Sequence, residues 1–292
     1  MENNLNVVFF GTPDFAIPAL KSLLNFGYNI VAVVTQPERP AGRAMVITPS
    51  PVKKFALEKQ IPVLEPHNLK KDEDAFENFK HLNPNLCIVA AYGKIIQKRY
   101  LDIPKYGFLN IHPSLLPKYR GPSPVQTAIL NGDAETGASI MLVDEEIDHG
   151  PLLAKREFLI SNFQFSNHDE MAKKLFELGA ELLIETLPKY ISEEIKPEPQ
   201  DHGQATFTKM FSREDGRINW SDSPDKIYNQ IRALNPEPGT WSVWKDKMVN
   251  IKKADLVNGK ISVQTIQMEG GKEMPSKEFL LGHRDFDVSH LK

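Results

Sequence analysis

The segment GFLNIHPSLLPKYRGPSP (107–124) sets Asn110 and His112 two positions apart behind an apolar lead, and four prolines fall in the twelve residues that follow. On an extended strand, side chains two apart point to the same face. An amide and an imidazole so placed can both donate to a carbonyl oxygen on which negative charge is developing. They can equally be a strand-end polar pair that satisfies neighbouring loop amides, and spacing alone leaves both readings open. Asp148, in DEEIDHGP (144–151), is the third candidate. Its acidic surroundings suit a solvated loop. A loop between two strands can also return one carboxylate to the sheet edge beside His112, where it would orient the ring. His149 reads as a loop residue, and no spacing of His, Cys and carboxylates suggests a zinc site.

The elements that must position these residues follow from apolar periodicity. NVVFFGT (6–12) is a short, nearly continuous apolar run ended by glycine, as expected of a strand buried on both faces. PDFAIPALKSLLNFG has helical spacing at Phe15, Leu20, Leu23 and Leu24, and a second apolar run, NIVAVVTQ, follows it. This βαβ opening predicts an α/β, doubly wound, Rossmann-like sheet. Its turn, FFGTPDF, has one glycine where a dinucleotide fingerprint needs three, and Pro13 lacks a backbone donor, so a nicotinamide cofactor is not expected. A helix is expected at about 50–60, then strands at IPVLEP, NLCIVAAYG and GFLNIHP, and a helix at 124–132. Strands at GASIMLVDE and PLLAKREFLI and a long amphipathic helix over 168–191 complete the series. Residues 196–206 (KPEPQDHGQAT) are polar and proline-bearing and read as a linker. Beyond them a helical segment, SPDKIYNQIRALNP, precedes the strand-like runs TWSVWK, MVNIKKADLV and KISVQTIQM, which suggests a small β-domain.

The bulk numbers exclude little. The 292 residues suffice for two domains, and 41% hydrophobic with 25% charged residues is ordinary globular composition. No apolar run is long enough to span a membrane, and MENNLN opens the chain without leader character, so a cytoplasmic protein is expected. The single cysteine, Cys87, lies in a predicted strand and is expected to be a buried thiol. A net charge of −3 argues against indiscriminate nucleic-acid binding but leaves room for a local basic face.

LNIHPSLLPKYRGPSPVQ together with IDHGPLL resembles the folate-dependent formyltransferases. FFGTPDFAIPAL, TQPERPAGR followed by TPSPVK, VAAYGKII, INW, IRALNPEPGTW and EFLLGHRDF are similar to the branch of that family acting on methionyl-tRNA. The likeness runs from residue 6 to about 286. It implies a transferase of translation initiation, with 10-formyltetrahydrofolate as formyl donor, initiator methionyl-tRNA as acceptor, no metal, and a monomeric state. Asn110, His112 and Asp148 would form the transfer site. Ser114, Leu115, Leu116 and Pro117 would line the folate pocket, with groups of Ala90, Tyr92, Gly93 and Asp144 against the pterin. An alternative within the family is transfer to an amino-sugar nucleotide or another small amine.

By the same resemblance, 1–195 is a catalytic domain and 207–292 an OB-like, tRNA-binding barrel joined by the 196–206 linker. The distal domain is short, because KKADLVNGKISVQT runs almost directly from strand to strand where the family has an additional hairpin. The 37–51 loop would be an insert that orders on the tRNA acceptor end. Arg39 and Arg43 match its basic positions, whereas Ala44, Met45 and Val46 stand where lysines are expected. Residues 207–292 carry 14 lysines and arginines against 12 acidic residues, and Lys245, Lys247, Lys252 and Lys253 fall on one predicted hairpin. They are the expected phosphate contacts, or else a solvated edge that deters sheet pairing.

Overall fold

The computed structural model describes residues 5–41, 46–286 and 291, with backbone alone at 39–41, 46 and 162. The chain opens with β1 (Asn6–Gly11), α1 (Ile17–Asn25), β2 (Asn29–Val34), β3 (Arg39–Ala41), β4 (Val46–Thr48), α2 (Pro51–Glu58), β5 (Val63–Leu64) and α3 (Glu73–His81). There follow β6 (Leu86–Ala90), α4 (Lys98–Leu101), β7 (Phe108–His112), α5 (Pro124–Asn131), β8 (Glu135–Leu142), β9 (Leu152–Leu159) and α6 (His168–Ile191). The remainder comprises α7 (Pro224–Leu234), β10 (Thr240–Trp244), β11 (Lys247–Val257), β12 (Lys260–Met268), β13 (Glu273–Pro275) and α8 (Ser276–Gly282). These elements form two compact units. One gathers 1–121, 136–158 and 172–207, the other 122–135, 159–171 and 208–292.

The first unit is a seven-stranded sheet in the order β5-β2-β1-β6-β7-β8-β9. Strands β5, β2, β1, β6 and β7 pair in parallel, and β8 runs antiparallel to β7. Alternation divides the apolar runs between two cores. Val7, Phe9, Ile88, Leu109 and Ile111 pack with residues of α1, α2 and α6, while Val8, Phe10, Cys87, Val89 and Phe108 pack with Phe79 of α3 and Tyr100 of α4. Both faces are therefore covered, which is why β1 reads as continuous hydrophobe. Cys87 is wholly buried, and that burial pushes its thiol well up, as the sequence leads one to expect.

Local signals fix the helices. Ser50 caps α2, accepting from the Lys53 amide at 3.0 Å ahead of Pro51, and Asp72 caps α3 in the same way from Ala75. The helix α6 approaches β7 closely: a Cβ placed on Gly179 would lie 2.4 Å from Cγ2 of Ile111. Between β2 and α2, the 37–51 loop folds back as the β3–β4 hairpin, pairing Arg39 with Thr48 and Ala41 with Val46.

In the second unit β10, β11, β12 and β13 form an antiparallel meander in sequential order. Among the described residues these four strands are the whole of this sheet, a small antiparallel one. Its core joins Ile227 and Ile231 of α7 to Trp244, Val249, Ile251, Ile266 and Phe279. The helix α5 belongs to this unit and packs on α7.

Candidate active site

Strand order reverses between β1 and β6, and in a doubly wound sheet the crevice beyond the carboxyl ends of the strands at such a point is where ligands bind. Gly11, Ala90 and His112 end β1, β6 and β7 at this edge. Asn110 and His112 share the face of β7 that carries Phe108, and Asp148 reaches both. Asn110 Nδ2 lies 3.5 Å and His112 Nδ1 3.6 Å from Asp148 Oδ1. The other carboxylate oxygen accepts from the Gly121 amide at 2.7 Å. The far nitrogen of His112, Nε2, donates to the Tyr119 carbonyl at 2.9 Å.

This arrangement brings together the three residues picked out by type and spacing, with Asp148 between the other two. Both contacts are long: Asn110 Nδ2 donates to Asp148 Oδ1 at the outer limit of a hydrogen bond, and His112 Nδ1 stands 3.6 Å from the same oxygen. Asp148 itself sits at φ +49°, and Ala91 (+48°) and Tyr119 (+64°) are likewise left-handed. Non-glycine residues in that region cost energy and persist only where surrounding contacts hold them. Gly150 is obligatory: a Cβ there would lie 2.0 Å from the Leu142 carbonyl oxygen.

The remaining candidates are placed less directly. Ser114 and Leu116 face inward, Ser114 Oγ donating to the Lys118 carbonyl at 2.6 Å, and only Leu115 and Pro117 are half-buried. Ser139 stitches this loop to β8, donating to the Ser114 carbonyl and accepting from the Leu116 amide. The Tyr92 ring is core, edge-on to Phe10 at 5.3 Å, and burial pushes its phenol up; its carbonyl accepts from Gln36 Nε2 and Thr12 Oγ1. Asp144 accepts from the Glu146 amide and from His149 Nδ1 at 2.7 Å, so its carboxylate is engaged. Among the described residues no cluster of His, Cys, Asp and Glu could hold a metal.

Of the basic residues, Arg43 lies outside the described residues, and Arg39 is described by its backbone in β3. Lys245 sits in the β10–β11 turn, ion-paired with Asp285 and 4.7 Å over the Trp244 ring, and Lys247 begins β11. Lys252 and Lys253 lie farther along β11, at an irregularity in its register with β12 and roughly 20 Å from the turn at about 3.3 Å per residue. Lys253 lines a cleft of about 730 Å³ with Phe163, Phe165, Tyr228 and Arg232. There the Arg232 guanidinium lies 4.2 Å from the Tyr228 ring and 4.5 Å from that of Phe165. The four lysines thus make two groups rather than one patch.

Residues 196–206, whose composition suggests a linker, run as a strap within the first unit. Glu198 bridges Leu152, and Phe207 bridges Arg120. Thr206 accepts from the Arg120 amide through its carbonyl and from the Tyr119 amide through its hydroxyl. Buried Gln200 accepts from Arg120 Nε and Nη2. His202 stacks on His149 at 4.1 Å and takes a hydrogen bond from Arg120 through Nδ1. No motif marks these residues in the sequence.

Residues 5–187 match the formyl transferase family, and residues 210–262 match the C-terminal domain of formyl transferases. The chain belongs to the formyl transferase family. Within it, similar curated relatives carry the name methionyl-tRNA formyltransferase. That of Caldanaerobacter subterraneus is 39% identical over 311 aligned positions, covering 99% of this chain and 100% of the relative. That of Chloroflexus aurantiacus is 46% identical over 254, covering 87% and 81%. Among solved structures, the methionyl-tRNA formyltransferase from Clostridium thermocellum aligns with a TM-score of 0.62 at 22% identity, over 90% of this chain and 98% of that one. HypX from Aquifex aeolicus, in complex with tetrahydrofolic acid, aligns at 0.69 and 17%, over 95% of this chain and 47% of that one. At these identities the structural likeness speaks to fold alone.

Proposed function

We propose that this chain moves the formyl group from N10 of 10-formyltetrahydrofolate to the α-amine of methionine esterified to initiator tRNA, acting as a cytoplasmic monomer. The observation that carries the residue assignment is the convergence of Asn110 and His112 on one oxygen of Asp148, with the other oxygen fixed by Gly121. The neutral amine attacks the formyl carbon, a C–N bond forms, and negative charge gathers on the formyl oxygen. Asn110 Nδ2 and His112 Nδ1 supply two donors for that charge, in a site where His112 is 4% exposed. The Tyr119 carbonyl holds the far side of the ring, which aims Nδ1 at the reacting atoms. Asp148 balances charge on the ring and, through a water, takes the proton from the attacking amine and passes it to the departing N10. Direct attack needs no covalent enzyme intermediate, so buried Cys87 and Ser114 have no nucleophilic part.

The half-buried Leu115 and Pro117 and the backbone of 90–93 suit the flat pterin and its aryl tail, and Arg39, Arg43 and the β11 lysines suit the phosphates of tRNA. The decisive assay offers the protein 10-formyltetrahydrofolate with charged initiator tRNA in one vessel and an amino-sugar nucleotide in another. Formylmethionyl-tRNA in the first and no product in the second is the expected result. Product only in the second would move the reading to the sugar-acting branch.

A further inference from the structure

We propose that Gln200 is a positioning residue for the transfer reaction, acting through Asp148 and the 119–121 loop; this rests on the site reading given above. Its side chain is 5% exposed and fully used. The amide nitrogen donates to the carbonyls of Asp148 at 2.9 Å and Gly150 at 2.7 Å. The amide oxygen accepts from Arg120 Nε at 3.1 Å and Nη2 at 2.7 Å. One planar group therefore clasps both loops that build the site.

What each loop contributes makes the clasp matter. The 119–121 loop provides the carbonyl that orients His112 and the amide that orients the Asp148 carboxylate. The 148–150 loop carries Asp148 in a left-handed conformation that an L-residue adopts only under restraint. Gln200 restrains that backbone through the two carbonyls. Arg120, itself 3% exposed, ties the opposite loop to the same amide and to His202. Only an amide meets these demands, since the site needs a donor on one edge and an acceptor on the other. A glutamate of the same shape would still accept from Arg120 but would turn an oxygen toward two carbonyl oxygens.

Gln200→Glu therefore separates the two halves of the clasp. It should keep the fold and the affinity for 10-formyltetrahydrofolate, while kcat falls about 10- to 100-fold, the scale of a reacting group displaced by about an ångström. Because part of the effect runs through Asp148, the double variant Gln200→Glu/Asp148→Asn should be slower than Asp148→Asn by clearly less than the loss Gln200→Glu causes in the wild type. Gln200→Met, which removes donor and acceptor together, should lower kcat at least as far. Wild-type kcat in both Gln200 variants, a multiplicative loss in the double variant, or failure of both Gln200 variants to fold would each overturn the proposal. Asp148→Asn measured alongside tells the two readings apart: near-normal turnover there sinks the site assignment itself, whereas a severe loss there with normal Gln200 variants sinks only the role of Gln200.

Discussion

On the proposed mechanism, His112→Ala and Asn110→Ala each remove one of two donors aimed at the same developing charge. Each should lower kcat roughly 10²–10³-fold, with donor affinity largely kept, because the interaction grows mainly in the transition state. Single-turnover rates beside equilibrium folate binding check this, and parallel losses in both would show that the side chains build the pocket instead. These residues were legible because a period of two is all that is needed to put 110 and 112 on one face, and because a short loop between strands limits where Asp148 can go. Gln200 was not legible. Its neighbours Pro197, Pro199, Asp201 and Gly203 have the composition of a solvated tether, and nothing in sequence distinguishes a polar residue that is wet from one that is buried and fully bonded. The residues proposed to line the folate pocket fall between. Pro-rich sequence marks a shaped loop, but the inward turn of Ser114 and Leu116 depends on Ser139, which lies on a different strand.

At the scale of elements, what reads out of sequence is what buries a long stripe. The 24 residues of α6 and the parallel strands announce themselves; α3 does not, since Phe79 is its single buried side chain and its first turn is acidic. Gly179 shows packing overruling propensity. Alanine there would favour the isolated helix by about 1 kcal/mol, yet its methyl would drive into Ile111, the residue between Asn110 and His112. Gly179→Ala should lower both the melting temperature and kcat; a higher Tm with unchanged turnover would show that β7 yields freely. In the second unit, Asp215 closes a capping box with Ser212. Its carboxyl is held down to about 2, chiefly by a hydrogen bond from Lys209 and then by the Ser212 amide and hydroxyl. A depressed carboxylate stabilises the fold above its ordinary pKa of about 4 and loses that contribution as pH falls toward 2. Asp215→Asn should thus be less stable than the parent at neutral pH and converge with it near pH 2. All three tryptophans, Trp220, Trp241 and Trp244, lie in this unit, so their fluorescence follows its unfolding directly.

For the molecule as a whole, a net charge of −3 hides an uneven distribution, with the segment after 206 slightly basic. Sequence clusters the four lysines; the structure divides them, because β11 is one long extended strand that carries Lys247 at its start and Lys252 and Lys253 well along it. Lys253, which lines the Arg232 cleft, and its neighbour Lys252 should therefore weigh more than Lys245, which already has Asp285. Neutralising the 252–253 pair should raise KM for charged tRNA and flatten its salt dependence, with kcat at saturation little changed. Neutralising 245 and 247 should do less, and equal slopes in both variants would point to a diffuse field. The division into units crosses the sequence boundary at 196–206 as well. The second unit takes α5 and 159–171 from the middle of the chain, and α5 packs on α7. A polypeptide leaves the ribosome in one direction, so α5 emerges long before its partner helix and must wait, with β8, β9 and α6 made in between. Nascent chains stopped after residue 207 should carry α5 and residues 159–171 as protease-sensitive segments of a chain whose first unit is otherwise folded, and the second unit can close only once the last strands have been synthesised.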